Sequence, residues 1–248
     1  MEMTKPTAKE DTTLLDELAQ KEFNRRKFLR FSSLIGVSAV ALSGAGLSGC
    51  YRDNMLTGGG DNNSVNLGSG DIGVLNYAYA LEQLEAAFYT QVIATPFSGI
   101  SALESEYLKD IRDHEIAHRE FFKAALGSNA IPGLQVDFSS INFSSRDSVL
   151  GTAKAFEDLG VAAYNGAGRL LTSTDYLTLA GKIVSVEARH AALIRDLISN
   201  GSFADLASLS SMGANNANGL DAAMNPPDVL AIASAYVKTQ IDASNLPK

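Results

Sequence analysis

Two short stretches constrain this chain more than anything else in it: Asp113-His114-Glu115-Ile116-Ala117-His118 and Val186-Glu187-Ala188-Arg189-His190. Each carries a Glu-x-x-His in a locally Gly- and Pro-free, helix-favouring run. Residues three apart are neighbours on one helix face, so each pair sets a carboxylate beside an imidazole. That face is the wrong one for solvated charge. The stripe around the first pair reads Leu108, Ile111, Glu115, His118, Phe122, Ala125; around the second it reads Ala180, Ile183, Glu187, His190, Ile194, Leu197. Both follow the alternating three-and-four spacing of a core-facing seam. A bare ionised carboxylate is costly to bury, so these positions predict a compensating charge, and a bound cation is the simplest one. Only three His occur in 248 residues, and two of them follow a Glu in this way. The third, His114, lies off the stripe and reads as a surface residue. Glu104, Glu106, Asp110 and Glu120 read as a solvated helix face.

The first fifty residues are a targeting segment rather than part of the fold. Asn24-Arg25-Arg26-Lys27-Phe28-Leu29-Arg30 matches the twin-arginine export pattern, and a mildly apolar run follows from Phe31 to Leu47. That run is rich in Ser, Gly and Ala and short for a spanning helix. It ends in Leu47-Ser48-Gly49-Cys50, which resembles a lipobox. Cys50 is the only Cys, so it has no internal disulfide partner, and lipid modification accounts for it directly. The expectation is an exported protein, lipid-anchored through Cys50 to a membrane and lying in the periplasm. Arg52 in place of Asp favours the outer membrane in a Gram-negative host. A formal net charge of −8 argues against a nucleic-acid partner.

Residues 51–70, with Gly-Gly-Gly and Asp-Asn-Asn, read as a flexible tether. Asp71 then looks like an N-cap, with helix one over roughly Ile72 to Ala94 and an inward stripe of Leu75, Ala78, Glu82, Glu85, Tyr89, Val92. Helix two spans roughly Ala102 to Leu126 and stops at Gly127. The stretch from Ser128 to Ser145 is long for a loop and suits a crossover running the length of a bundle. Helix three covers about Arg146 to Leu171, with the stripe Ala153, Glu157, Gly160, Tyr164, Ala167. A Thr172–Asp175 turn leads to helix four, about Tyr176 to Ser199. Beyond residue 200 a loop-rich extension holds one further helix, about Pro227 to Ile241.

Helices one and three repeat each other. Leu81-Glu82-Gln83-Leu84-Glu85-Ala86-Ala87-Phe88-Tyr89 aligns without gaps to Phe156-Glu157-Asp158-Leu159-Gly160-Val161-Ala162-Ala163-Tyr164. Each precedes a Glu-x-x-His helix at a similar distance, so the chain holds two copies of one helix pair. The repeat favours Glu82, whose counterpart is Glu157, over Glu85, which falls opposite Gly160; Glu85 stays as the alternative ligand. Four carboxylates and two neutral imidazoles would balance two divalent cations. The donor set suits iron or manganese, and the lack of thiolates argues against a zinc–cysteine site.

The order Glu, Glu-x-x-His, Glu, Glu-x-x-His on four helices resembles the ferritin-like di-iron carboxylate proteins. Leu-Glu-x-Leu-Glu-Ala-x-Phe-Tyr and Val-Glu-Ala-Arg-His are similar, more narrowly, to the exported bacterial and desiccation-related ferritin-like domain family. The resemblance spans about Asp71 to Asn200. It implies an all-α, antiparallel four-helix bundle with one long crossover between helices two and three and an extra C-terminal helix. It also implies two metal ions, iron first and manganese as the alternative, with Glu115 and Glu187 bridging, Glu82 and Glu157 terminal, and His118 and His190 binding one ion each. Tyr89 and Tyr164 would orient a carboxylate or accept an electron, although both also suit a plain aromatic core. The implied activity is that of a ferroxidase or peroxidase type of oxidoreductase acting on O2, peroxide or Fe2+. The alternative is a non-catalytic envelope or stress-protection bundle with a structural or vestigial metal site. Iron storage fits less well, because no cage-forming helix is evident. The oligomeric state stays open, a dimer being one option.

Overall fold

The structure, a computed structural model, describes residues 64–248. The twin-arginine stretch, the apolar run after it, Cys50 and residues 51–63 of the expected tether lie outside the described residues.

Serine side chains start three of the four long helices. Ser101 Oγ accepts from the amide of Glu104 at the head of α2 (Ala102–Leu126), and the Glu104 carboxylate accepts from the Ser101 amide in return. Ser145 and Ser173 accept from Ser148 and Tyr176 at the heads of α3 (Arg146–Gly168) and α4 (Thr174–Ile198). Glu104 is therefore no solvated bystander. Its carboxylate also takes the guanidinium of Arg146 at 2.7 Å, tying the start of α2 to the start of α3.

The first long helix, α1 (Gly70–Ala94), begins two residues earlier than Asp71 allows as a cap; Ser69 occupies that position. Asp71 instead accepts from the amides of Thr172 and Ser173 and from the Thr172 hydroxyl, clamping the turn between α3 and α4 against the head of α1. These three bonds outweigh burial and hold its carboxyl below the usual carboxylate range. α3 stops at Gly168, short of Leu171, and α4 starts at Thr174.

The fold is all-α in its body, as expected. α1 packs along α2 and α3 along α4, and α1 meets α3 across the centre. Short connections at residues 95–101 and 169–173 make each pair antiparallel. Between α2 and α3 the chain takes a 3-10 turn at Gly127–Asn129 and then runs without helix to residue 145. This crossover is fastened to α1. Asn76 donates to the carbonyls of Leu67 and Asn129 and accepts from the amide of Ile131, and Gln83 accepts from the amide of Leu134. Two polar residues seven apart on one helix face thus satisfy main chain that burial would otherwise leave unpaired.

Residues 65–70, expected within the tether, belong to the fold. Leu67 is fully buried, and β1 (Val65–Asn66) pairs in parallel with β2 (Ile241–Asp242) near the C-terminus. The last helix is also shorter: α5 (Pro226–Ala233) ends well before Ile241 because the chain turns back to bridge Val237 to Val136 of the crossover. The extension beyond α4 is thus a covering layer. Segment 222–224 lies directly on α3, with Met224 N donating to Ala162 O and Asn165 to Ala222 O. Gly166 makes that approach possible, since a Cβ there would sit 1.7 Å from the Met224 carbonyl oxygen. With covers on both sides, α1 and α3 are buried around most of their circumference, whereas α2 and α4 bury one stripe each.

Candidate metal centre

The middle of each long helix brings one or two polar residues into the apolar core. Glu82 on α1, Glu115 on α2, Glu157 on α3 and Glu187 on α4 have no exposed surface at all. His190 is buried and His118 nearly so. All six meet at one level of the bundle.

Their atoms form two overlapping groups. Glu82, Glu115, His118 and Glu187 offer ligand atoms that all lie within 4.8 Å of one another, and so do Glu115, Glu157, Glu187 and His190. Glu115 and Glu187 belong to both. In the first group His118 Nδ1 stands 2.8 Å from Glu187 Oε1 and 3.5 Å from Glu82 Oε2. In the second His190 Nδ1 stands 2.8 Å from Glu115 Oε1 and 3.5 Å from Glu157 Oε2. Despite these short separations, neither imidazole nitrogen forms a hydrogen bond with the carboxylates around it. Among the described residues, every buried side-chain nitrogen or oxygen without a hydrogen-bond partner belongs to these six residues, except the Tyr77 hydroxyl. Orphaned buried polar atoms are rare in folded proteins, and a cluster of them facing inward fits a divalent cation.

The two tyrosines sort the carboxylates. Tyr89 of α1 donates to Glu157 Oε1 across the bundle at 2.5 Å, and Tyr164 of α3 donates to Glu82 Oε1 in the reciprocal contact. Glu82 and Glu157 are each left with one unpaired oxygen, Oε2, while both oxygens of Glu115 and of Glu187 are unpaired. Each tyrosine thus holds one oxygen of a carboxylate on the facing helix.

Charge in the cluster is strained when protons alone neutralise it. Burial by itself would lower both imidazole pKa values. The carboxylates around them win: His190, against Glu115, Glu157 and Glu187, is pushed up to about 12, and His118, with Glu82 foremost, is also held far above its ordinary range. Burial and then the Glu187 charge raise Glu115 to about 8. Burial would raise Glu187 as well, but the two imidazoles outweigh it and hold it at about 2. Burial also lifts the hydroxyls of Tyr89 and Tyr164 well above the phenolic range. Both stay protonated and serve as donors.

Glu85 is buried beside the cluster but joins neither ligand group. Its carboxyl points at α3, where a Cβ on Gly160 would come within 3.1 Å of Oε1. Burial, followed by the charges of Glu115, Glu187, Glu157 and Glu82, raises its pKa well above the carboxylate range. Its neighbours thus disfavour a charge on it.

One contact escaped sequence reasoning. His114 is exposed, as expected, and also sets its Nδ1 2.9 Å from His190 Nε2, the two rings lying 16° from parallel. Burial and then the neighbouring His190 charge lower its pKa. The signal was its place one residue before Glu115, a quarter-turn off the inward stripe and within reach of the facing helix.

No curated protein matches the chain. The family model of the ferritin-like domain matches residues 70–200, from the first residue of α1 to just past the end of α4. The six converging residues all fall inside that span, and the chain belongs to the ferritin-like domain family.

Proposed function

We propose that the six residues hold two divalent ions, iron or manganese, and that the protein is an oxidoreductase acting on O2, peroxide or Fe2+. The observation that carries this reading is the set of inward-facing orphan atoms, divided into two groups that share Glu115 and Glu187. Four ionised carboxylates match two divalent charges, and oxygen-rich donors with one imidazole per position suit these metals. A redox-active pair of ions supplies one-electron steps toward a small oxidant. The protein's own part is to hold one oxygen of Glu82 and of Glu157 on a tyrosine, keep Glu115 and Glu187 between the two positions, and exclude water with the surrounding core.

The targeting sequence extends the reading. An exported, lipid-anchored protein of the desiccation-related type would reach the periplasm by the twin-arginine route, already folded and loaded, and be tethered at Cys50. Among the described residues no helix is long and apolar enough to cross a membrane.

The sealing of the site favours a second reading. The orphan oxygens are inaccessible, and the most exposed ring of the six, that of His118, shows only 13% of its side chain. A static metal that holds four helices together would need no opening. Metal analysis of protein purified through its own export route decides whether metal is bound, with two iron or manganese per chain expected. A chain that stays metal-free after anaerobic reconstitution overturns the proposal. An Fe2+ and peroxide oxidation assay then separates the readings: turnover supports the oxidoreductase, and a loaded but inert protein supports the structural centre.

A further inference from the structure

The internal repeat makes the two halves comparable residue by residue, and they differ at the back of the histidines. Aligning Glu115 with Glu187 sets His118 against His190 and His114 against Val186. His190 turns Nδ1 toward the cluster, 2.8 Å from Glu115, 3.4 Å from Glu187 and 3.5 Å from Glu157. A nitrogen that binds a cation must be bare, so the ring's hydrogen then sits on Nε2. His114 Nδ1 lies 2.9 Å from that Nε2 and is placed to accept it. His118 also turns Nδ1 inward, yet among the described residues no hydrogen-bond partner is recorded for its Nε2. The residue that would provide one by symmetry is Val186, which has no polar side-chain atom.

A hydrogen bond to the far nitrogen of a ligating imidazole fixes its tautomer, holds the ring in place and raises its basicity. We propose that His114 is a positioning residue for His190, and that the cluster therefore has two unequal metal positions, the Glu157–His190 position binding more tightly than the Glu82–His118 position. This rests on the two-metal reading above and adds an order to it: metal enters the second half of the repeat first. The contact also spans helices, since His114 is on α2 and His190 on α4. Loading the tighter position would thus lock the two Glu-x-x-His helices together before the other position fills.

The test is an anaerobic titration of the full mature protein with Mn2+ alone, following free Mn2+ by its electron paramagnetic resonance signal. Wild type should bind two ions in resolved steps. His114→Ala should weaken the tighter step by about 10- to 100-fold, the usual effect of removing such an outer partner, and leave the weaker step in place. His114→Gln, which keeps an acceptor, should recover most of that loss. Val186→His, which supplies the missing partner to His118, should tighten the weaker step. Two equal steps in wild type, or a His114→Ala protein that titrates like wild type, would overturn the inference while leaving the two-metal reading intact. A wild-type protein that binds no Mn2+, Fe2+ or Co2+ would overturn that reading and the inference with it.

Discussion

The two helix pairs of this bundle use the same side chains to meet at the centre and different ones to meet their surroundings. Glu82, Tyr89, Glu115 and His118 in the first half match Glu157, Tyr164, Glu187 and His190 in the second, and each tyrosine serves the other half's carboxylate. One residue further along, the match ends. Gln83 holds crossover main chain at Leu134, whereas its counterpart Asp158 takes both the Nε and an NH2 group of Arg195 at 2.7 Å. Arg195 in turn reaches Ser208 and the Asp205 carbonyl, anchoring the chain that follows α4. Positions that face the cluster are bound by its chemistry. Positions a quarter-turn away answer to whichever layer covers them, and the layers differ because one side has a crossover and the other a C-terminal extension.

The sharpest way to break the symmetry is through a shared ligand. Glu187→Ala removes an oxygen donor from both groups, so the protein should retain neither ion, whereas Glu157→Ala should cost only the position it serves. Metal per chain after desalting checks this. A Glu187→Ala protein that keeps one ion at wild-type strength would show that the halves hold their metals independently.

Outside the centre the halves should differ in stability. Arg195 and Asp158 are both buried, so Arg195→Met strands a carboxylate and should cost about 3 kcal/mol, the low end for a broken buried pair because Lys154 still stands 3.0 Å from Asp158. Gln83→Leu removes the acceptor for one crossover amide and should cost about 1–2 kcal/mol. Denaturant unfolding of the metal-free proteins gives both numbers. Equal losses would mean that the two covering layers are held alike.

How much of this was legible follows the same division. The six cluster residues and both tyrosines could be read because polar groups broke an otherwise apolar helical period, and because the break occurred twice. The long crossover was legible as an unusual loop length. The covering layers were not. Asn76 and Gln83 look like ordinary polar helix residues until main chain arrives beside them, and Gly166 marks a docking point only once segment 222–224 is placed. Asp71 has the residue type of a cap and the position for one, but the α3–α4 turn offered it three donors at once. Leu67 and β1 lie in a stretch whose composition reads as linker, and its partners are Asn76 of α1 and a strand more than 170 positions away. Contacts between distant segments leave no period in a sequence.

Proton release tests whether both halves are loaded by exchange of charge. Without metal, the surrounding carboxylates push His190 up to about 12 and raise His118, and burial with the Glu187 charge lifts Glu115 to about 8, which favours the protonated form of all three at pH 7. Each must be bare to bind. Metal uptake should therefore acidify a weakly buffered solution, and affinity should rise with pH between 6 and 9 by about tenfold per unit for each proton displaced. A pH-independent affinity would mean that the imidazoles are already neutral in the empty site.

The smallest effect is expected where the halves differ most visibly, at Glu85 and Gly160. Glu85 is the fifth acid at the centre and was the alternative to Glu82 as a ligand. It lies outside both ligand groups, and burial together with four neighbouring carboxylates pushes its pKa well above the carboxylate range, which favours the neutral form. A neutral acid and a neutral amide are close in shape, so Glu85→Gln should change metal affinity by about threefold or less, under 1 kcal/mol. Glu82→Gln should instead weaken its position strongly, since it replaces a charged donor whose free oxygen faces the ion. Titrating the two variants side by side settles which acid of α1 binds. If Glu85→Gln costs tenfold or more, Glu85 gives up its proton to a cation. The missing Cβ of Gly160 then makes room for the carboxylate that one half of the repeat lends to the other.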